Sequence, residues 1–309
     1  MSPNFIRFGS FELLLEERLF QGEGWDSKKN VENLLKQLMD YVIQYDFKHI
    51  SHQDANKYEK FYEEVVKRTA KMVAFWQAYG FCHGTLNTDN MSVLGLTLDY
   101  ETSGFMEIYD PNYNPNPLMD IGGRYNFEEQ PKIIAWNLMK LAEDIKNVSD
   151  YEKNVECLKK EYAPLFVKEY ESKMIKKMGL FTQKENDWKL VNAFLKMLQK
   201  YKADYTKSFY WLSCLENPFD DLKNLNNLQT FCKEKIEEDK WIDFLKQYEN
   251  RIKEQQLSEK EIKERMKKIN PKFVLRSSEV NKAMESIILE EGNMNEINFL
   301  YKKISEAFL

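Results

Sequence analysis

The chain of 309 residues is poor in the groups from which several kinds of site are built. It has three histidines, His49, His52 and His83, which argues against a histidine-built metal centre. It has no long block of lysine or arginine. Its 45 basic and 50 acidic residues leave a net charge of −5, which opposes a phosphate backbone, so no nucleic-acid partner is expected. No apolar run approaches the ~18 residues of a membrane span. The opening MSPNFIRFGS has neither the basic nor the apolar segment of a secretion signal. The four cysteines, Cys82, Cys157, Cys214 and Cys232, are far apart and form no C-x-x-C pair. They read as reduced, structural thiols rather than a zinc site or a disulfide framework.

What is present suits a globular protein of one large domain or two ordinary ones. Apolar residues make up 43% and aromatics 14%, enough for a sizeable core, and the 31% of charged residues are interspersed. Glycine and proline are scarce and unevenly placed. Six of eleven glycines (80, 84, 95, 104, 122, 123) and four of eight prolines (111, 115, 117, 131) fall in residues 80–131. That stretch is expected to be loop-rich, with long helices on either side.

The expected fold class is mainly α. Residues 56–79 carry Tyr62, Val65, Val66, Thr69, Met72, Val73 and Trp76 on one stripe, a helix whose apolar face packs in the core and which stops at Gly80. Leu34, Leu35, Leu38, Met39, Tyr41, Val42 and Tyr45 repeat at helical spacing within 10–47, interrupted by an expected loop at FQGEGWDSKKN (20–30). In 91–99 the period shortens, with Leu94, Leu96 and Leu98 alternating with Gly95, Thr97 and Asp99, so a small hairpin is expected with Gly95 near its turn. Residues 102–131 have no sustained period. Helical spacing resumes at Pro131 with Ile133, Ile134, Trp136, Asn137, Leu138, Leu141 and Ile145. Beyond 150 the chain reads as helical, with breaks at 216–228 and 270–276 and a capping box at Ser258–Glu261.

FCHGTLNTDNMSVLGLTLDYE (81–101) concentrates polar chemistry in this frame. Asn90 and Asp99 offer the hard oxygen donors that Mg²⁺ or Mn²⁺ prefers, and Asp89 is a further carboxylate able to take a proton from an attacking hydroxyl. His83 and Asn90 are seven apart, as in the protein-kinase catalytic loop H-R-D-x-x-x-x-N. Asp99-Tyr100 stands where D-F-G would follow. The kinase Arg and Asp are replaced here by Gly84 and Thr85, and the D-F-G glycine by Glu101. An ordinary kinase base is therefore missing, and Asp89 is the nearest acidic substitute. The bland reading of Asp89-Asn90 is turn chemistry, and that of His83 is a hydrogen-bonded structural histidine.

These residues, with SPNFIRFGSFE (2–12), GGRYNFEEQPKIIAWNLMKLAE (122–143) and RMKKINPKFVLR (265–276) in order, resemble the selenoprotein O family, over roughly residues 2–305. The resemblance implies a kinase-like C-lobe over 1–214, with catalytic loop 81–101 and activation segment 102–131, and a helical extension over 215–309. It implies transfer of AMP from ATP to Ser, Thr or Tyr hydroxyls of proteins. Asp89 would be the proton acceptor and Asn90 and Asp99 the ligands of Mg²⁺ or Mn²⁺. Asp99 and Arg7 would lie on the nucleotide phosphates, Arg7 through its fixed donor fork.

The family's N-terminal lobe, with its glycine-rich segment and lysine, is expected to be absent, since the chain opens just before the Arg7 block and contains no glycine-rich phosphate loop. Weak or no activity is therefore expected of the isolated chain. The alternative is a non-catalytic helical module acting as a binding scaffold. The activation-segment cysteine of many members has no counterpart in YNPNPLMD (113–120), nor has the C-terminal redox motif in KKISEAFL, so the family's redox regulation is not expected to carry over. The resemblance implies a mitochondrial location in a eukaryote and a cytoplasmic one in a bacterium.

Overall fold

The computed structural model describes residues 4–15, 27–215, 221–289 and 294–307. Its elements are mainly helical. In chain order, α1 (Gly9–Leu15), α2 (Ser27–Asp46) and α3 (Lys57–Tyr79) precede four two-residue strands, β1 (Phe81–Cys82), β2 (Met91–Ser92), β3 (Leu96–Thr97) and β4 (Gly104–Phe105). There follow α4 (Gln130–Asp144), α5 (Tyr151–Cys157), a π-helical turn (Leu158–Tyr162) and α6 (Ala163–Lys177). The remaining helices are α7 (Asp187–Lys200), α8 (Tyr205–Cys214), α9 (Asp221–Gln229), α10 (Glu238–Lys253), α11 (Glu259–Ile269), α12 (Ser277–Leu289) and α13 (Asn295–Ser305). The chain divides into two compact units. One is Met1–Trp76, His83–Ser103 and Asn116–Tyr170; the other is Gln77–Cys82, Gly104–Pro115 and Glu171–Leu309. No described helix is long and apolar enough to cross a membrane.

In the first unit the α3 stripe forms core as its spacing requires. Tyr62, Val65, Val66, Thr69, Val73 and Trp76 are buried, and Met72 is half-buried. Phe61 joins the same core, edge-on to Phe47 with ring centroids 5.2 Å apart. The Tyr62 hydroxyl, buried with its ring, donates to the Leu138 carbonyl at 2.9 Å, which satisfies the one polar atom that burial would otherwise strand. Helix α2 begins at Ser27, inside the expected loop; residues 20–26 lie outside the described residues. Its buried face is Val31, Leu35, Met39, Val42 and Ile43. Tyr41 and Tyr45, expected on that face, are instead half exposed and pack on each other at 4.7 Å. Pro131 occupies the first turn of α4, where its missing N–H leaves no bond unmade. Trp136 lies on that helix's solvent side beneath the Arg124 guanidinium, 4.9 Å from the ring centroid.

The hairpin is present as β2 paired antiparallel with β3, Met91 opposite Thr97 and Ser92 opposite Leu96. Gly95 turns it at φ +70°, pressed so close to Arg68 that a Cβ would come within 2.9 Å of the Arg68 carbonyl carbon. A strand-like segment not anticipated from the sequence completes this small sheet. Phe8 donates to the Met91 carbonyl at 2.9 Å and Val93 to the Ile6 carbonyl at 3.1 Å, with Arg7 paired to Ser92.

The second unit is organised by aromatic packing and two buried ion pairs. Trp241 is fully buried with Phe194, Trp211 and Phe244 edge-on around it at 6.0–6.1 Å. Asp187 accepts from Arg251 Nε at 2.6 Å and Nη2 at 3.0 Å. Asp204 caps α8 by accepting from the Lys207 amide, and it also accepts two bonds from Arg276, at 2.7 and 2.8 Å. The expected break at 270–276 is present between α11 and α12. The expected break at 216–228 is only partly so: residues 216–220 lie outside the described residues, and 221–229 form α9, anchored by buried Leu225 and Leu228. Ser258 caps α11 through Oγ, which accepts from the Glu261 amide at 3.2 Å. The four cysteines form no disulfide, Cys82 is buried, and burial pushes the Cys157 and Cys232 thiols up to about 11.

Candidate functional site

The polar stretch 83–102 folds within the first unit as a loop, a 3₁₀ turn and the hairpin. His83 is its buried hub. Its amide donates to Gln130 Oε1 at 2.9 Å, and its Nδ1 lies 3.4 Å from the Thr85 amide, which donates to it. That leaves Nε2 to carry the proton and donate to the Leu98 carbonyl at 2.9 Å. Thr97 Oγ1 lies 2.7 Å from the same nitrogen and donates to the Asn90 carbonyl at 2.7 Å. Burial lowers the His83 pKa, so the ring is held neutral. The histidine therefore ties the strand before Asp99 to the turn that carries Asn90, which is a structural role.

The 3₁₀ turn, Thr88–Asn90, is capped by Asn87, whose Oδ1 accepts from the Asn90 amide at 3.1 Å. One turn of helix sends its successive side chains in different directions. Asn90 is buried and Asp89 exposed. Asn90 Nδ2 donates to the Thr85 carbonyl at 2.7 Å and to Asp99 Oδ2 at 3.3 Å. With its nitrogen so engaged, Asn90 Oδ1 is the atom left for a cation. Asp99 has φ +64°, a left-handed conformation rare for a residue with a side chain. The structure thus brings together Asn90 and Asp99, nine residues apart in sequence, as a pair of hard oxygen donors. No cluster of three or more His, Cys, Asp or Glu suited to a metal occurs among the described residues. Two oxygen donors fit a Mg²⁺ or Mn²⁺ ion that takes its other ligands from phosphates and water.

Asp89 faces a different space. A cavity of about 410 Å³ is lined by Arg7, Gly9, Ser10, Glu12, Leu13 and Asp89. Arg7 is brought there by its pairing with Ser92, and its side chain is exposed. So Arg7 and Asp89 share one cavity, and Asn90 and Asp99 form the neighbouring pair. Gly9 makes this arrangement possible, because a Cβ there would run into Asp89 Oδ1. Gly9→Ala is expected to fold with an unchanged melting temperature, since a surface carboxylate can rotate away. It should lower any activity that uses Asp89 by about tenfold or more, because a displacement of about 1 Å can cost that much. Circular dichroism melts beside turnover assays check this.

Gly9, Ser10 and Glu12 were not singled out from the sequence. A lone glutamate in a first helical turn reads as an ordinary N-terminal charge, and only the folded proximity of α1 to the turn reveals otherwise. A slightly larger cavity, about 440 Å³, lies in the second unit among Lys207, Lys272, Arg276 and Lys303. Two of its cations are answered by carboxylates, Arg276 by Asp204 and Lys303 by Glu279 at 3.8 Å.

Comparison with known proteins places the chain in a family. The family model for "Protein adenylyltransferase SelO" matches residues 1–305. The chain is 34% identical over 314 residues to the protein nucleotidyltransferase YdiU of Flavobacterium johnsoniae, an alignment that takes in all of this chain and 57% of that relative. The chain therefore spans little more than half the length of this curated relative.

Proposed function

Because the chain belongs to the SelO family of protein adenylyltransferases, we propose that it carries the metal-binding and proton-accepting half of a site that moves AMP from ATP to Ser, Thr or Tyr hydroxyls of proteins. We assign residues 1–214 to a kinase-like C-lobe and 215–309 to a helical extension. The observation that carries this reading is the 3₁₀ turn, which puts Asn90 beside Asp99 and its neighbour Asp89 into the Arg7 cavity.

In this reading the hydroxyl oxygen of the protein substrate attacks the α-phosphorus of ATP. The bond from that phosphorus to the α,β-bridging oxygen breaks, and pyrophosphate leaves with its electron pair. Asp89, exposed in the cavity, accepts the hydroxyl proton. Arg7 holds phosphate oxygens by charge-assisted hydrogen bonds and offsets the charge that develops on the leaving group. Asn90 Oδ1 and Asp99 would hold Mg²⁺ or Mn²⁺, and such an ion neutralises phosphate charge. His83 and Thr97 keep the two ligands in register.

Incubation of the chain with Mn²⁺ and ATP labelled at either the α- or the γ-phosphate tests the proposal. Label on protein from the α position alone is expected. Label from the γ position alone would make the chain a kinase. Absence of both label and saturable Mn²⁺–ATP binding would leave it a helical binding module.

A further inference from the structure

Helix α1 touches the turn at more than Gly9. Glu12 Oε2 accepts from Thr88 Oγ1 at 3.2 Å, and Thr88 is the first residue of the turn that carries Asp89 and Asn90. Glu12 also lines the Arg7–Asp89 cavity. The partners are 76 residues apart in sequence, so the bond is a tertiary tie and not local turn chemistry. At its Asn90 end the turn is held by the Asn90 side chain on Thr85 and Asp99 and by Thr97 Oγ1, which donates to the Asn90 carbonyl. At its Thr88 end the Met91 amide bonds the Thr88 carbonyl, and Thr88 Oγ1 bonds Glu12. Asp144, at the end of α4, feels the Glu12 charge. Its carboxyl is pushed up to about 7, first by burial and then by the charges of Glu12 and Glu143, against the opposing influence of Lys140 and Lys146. The hydrogen bond from Thr88 directs the Glu12 carboxylate at the turn.

We propose that Glu12 is a positioning residue. By accepting from Thr88 it latches α1 to the turn and holds Asp89 and Asn90 in the orientation in which one faces the Arg7 cavity and the other faces Asp99. The kinetic consequence of this latch rests on the AMP-transfer reading above; the latch itself does not.

Hydrogen exchange of the Asn90 and Met91 amides reports the turn directly, with or without activity. In Glu12→Ala and Thr88→Val, exchange at both amides is expected to quicken about tenfold, as a hydrogen bond worth about 1 kcal/mol or slightly more would produce, with the melting temperature unchanged. In Thr88→Ser, which keeps the hydroxyl, and Glu12→Gln, which keeps an acceptor oxygen, exchange should stay as in the parent chain. The double variant Glu12→Ala/Thr88→Val should be no faster than either single one, as for partners in one bond. Where AMP transfer is measurable, Glu12→Ala should lower kcat with KM for ATP unchanged. Parental exchange rates in both Glu12→Ala and Thr88→Val overturn the latch even if AMP transfer is robust. Quickened exchange in a chain that transfers no AMP upholds the latch and counts against the AMP-transfer reading alone.

Discussion

Asp89→Asn is expected to lower AMP transfer by about 10²- to 10⁴-fold, the range for loss of a general base, and to leave Mn²⁺ binding intact. The reason lies in the division of labour within one turn. Asp89 is exposed in the Arg7 cavity, and Asn90 is buried against Thr85 and Asp99. Asparagine has nearly the shape of aspartate, so the space that Gly9 leaves for the side chain still suffices and the turn need not move. What is lost is the capacity to take a proton. Asp99→Ala makes the opposite change. It removes one of two oxygen donors and the partner of Asn90 Nδ2, so Mn²⁺ binding and transfer should fall together. Electron paramagnetic resonance of added Mn²⁺, measured beside transfer from α-labelled ATP, separates the two outcomes. If Asp89→Asn retains the parental rate, Asp89 is not the proton acceptor. If Asp99→Ala retains Mn²⁺, the cation lies elsewhere.

Much of this arrangement could be read in the sequence because it follows from local rules. The α3 stripe, the hairpin around Gly95, the proline opening α4 and the Ser258 cap each follow from the preferences of a few adjacent residues. The exceptions share a cause, which is that side-chain type is an incomplete guide to burial. Tyr41 and Tyr45 counted as apolar in the α2 stripe, but a tyrosine carries a polar tip, and these two satisfy one another at the surface. The segment 221–229 is crowded with Asn and Asp, weak helix formers, so it read as a break. Leu225 and Leu228, three apart and both buried, hold it as a helix through tertiary contact.

At the site the limit is of a different kind. Asn90 and Asp99 are joined by a hairpin, a short-range structure, so their meeting was foreseeable. Arg7, Gly9 and Glu12 reach the same turn across roughly eighty residues of intervening chain. No periodicity encodes that approach. It depends on Ile6–Phe8 pairing with the hairpin as an additional strand, and for Arg7 the guide was family resemblance rather than spacing.

Lys177→Met is expected to stabilise the protein at pH 6 by about 2 kcal/mol and to have little effect near pH 10. Lys177 closes α6 and is almost wholly buried. Its ammonium lies 4.4 Å from the centroid of the Phe209 ring, 4.5 Å from that of Tyr79 and 5.7 Å from that of Tyr205. Burial drives its pKa from the ordinary 10.5 down to about 7. The ring faces work the other way, each returning about 0.5–2 kcal/mol to the charged form. This is why the expected gain is smaller than the ~5 kcal/mol that the whole shift would represent. The sign follows from proton counting. The rings hold the folded pKa above the value that burial alone sets; between that folded pKa and 10.5 the unfolded lysine is protonated and the folded one is largely not, so the unfolded chain binds more protons and stability rises with pH. The stability that the neutral amine permits is complete above the unfolded pKa and is lost as the pH falls towards the folded one. Methionine has a similar unbranched shape, carries no charge to desolvate, and its thioether packs well against rings. The variant should therefore lack this slope. Urea denaturation of both proteins from pH 6 to 10 measures it, and subtracting one curve from the other cancels every titration the two share. A difference that does not change with pH would mean that Lys177 keeps its charge in the folded state, held by the three rings.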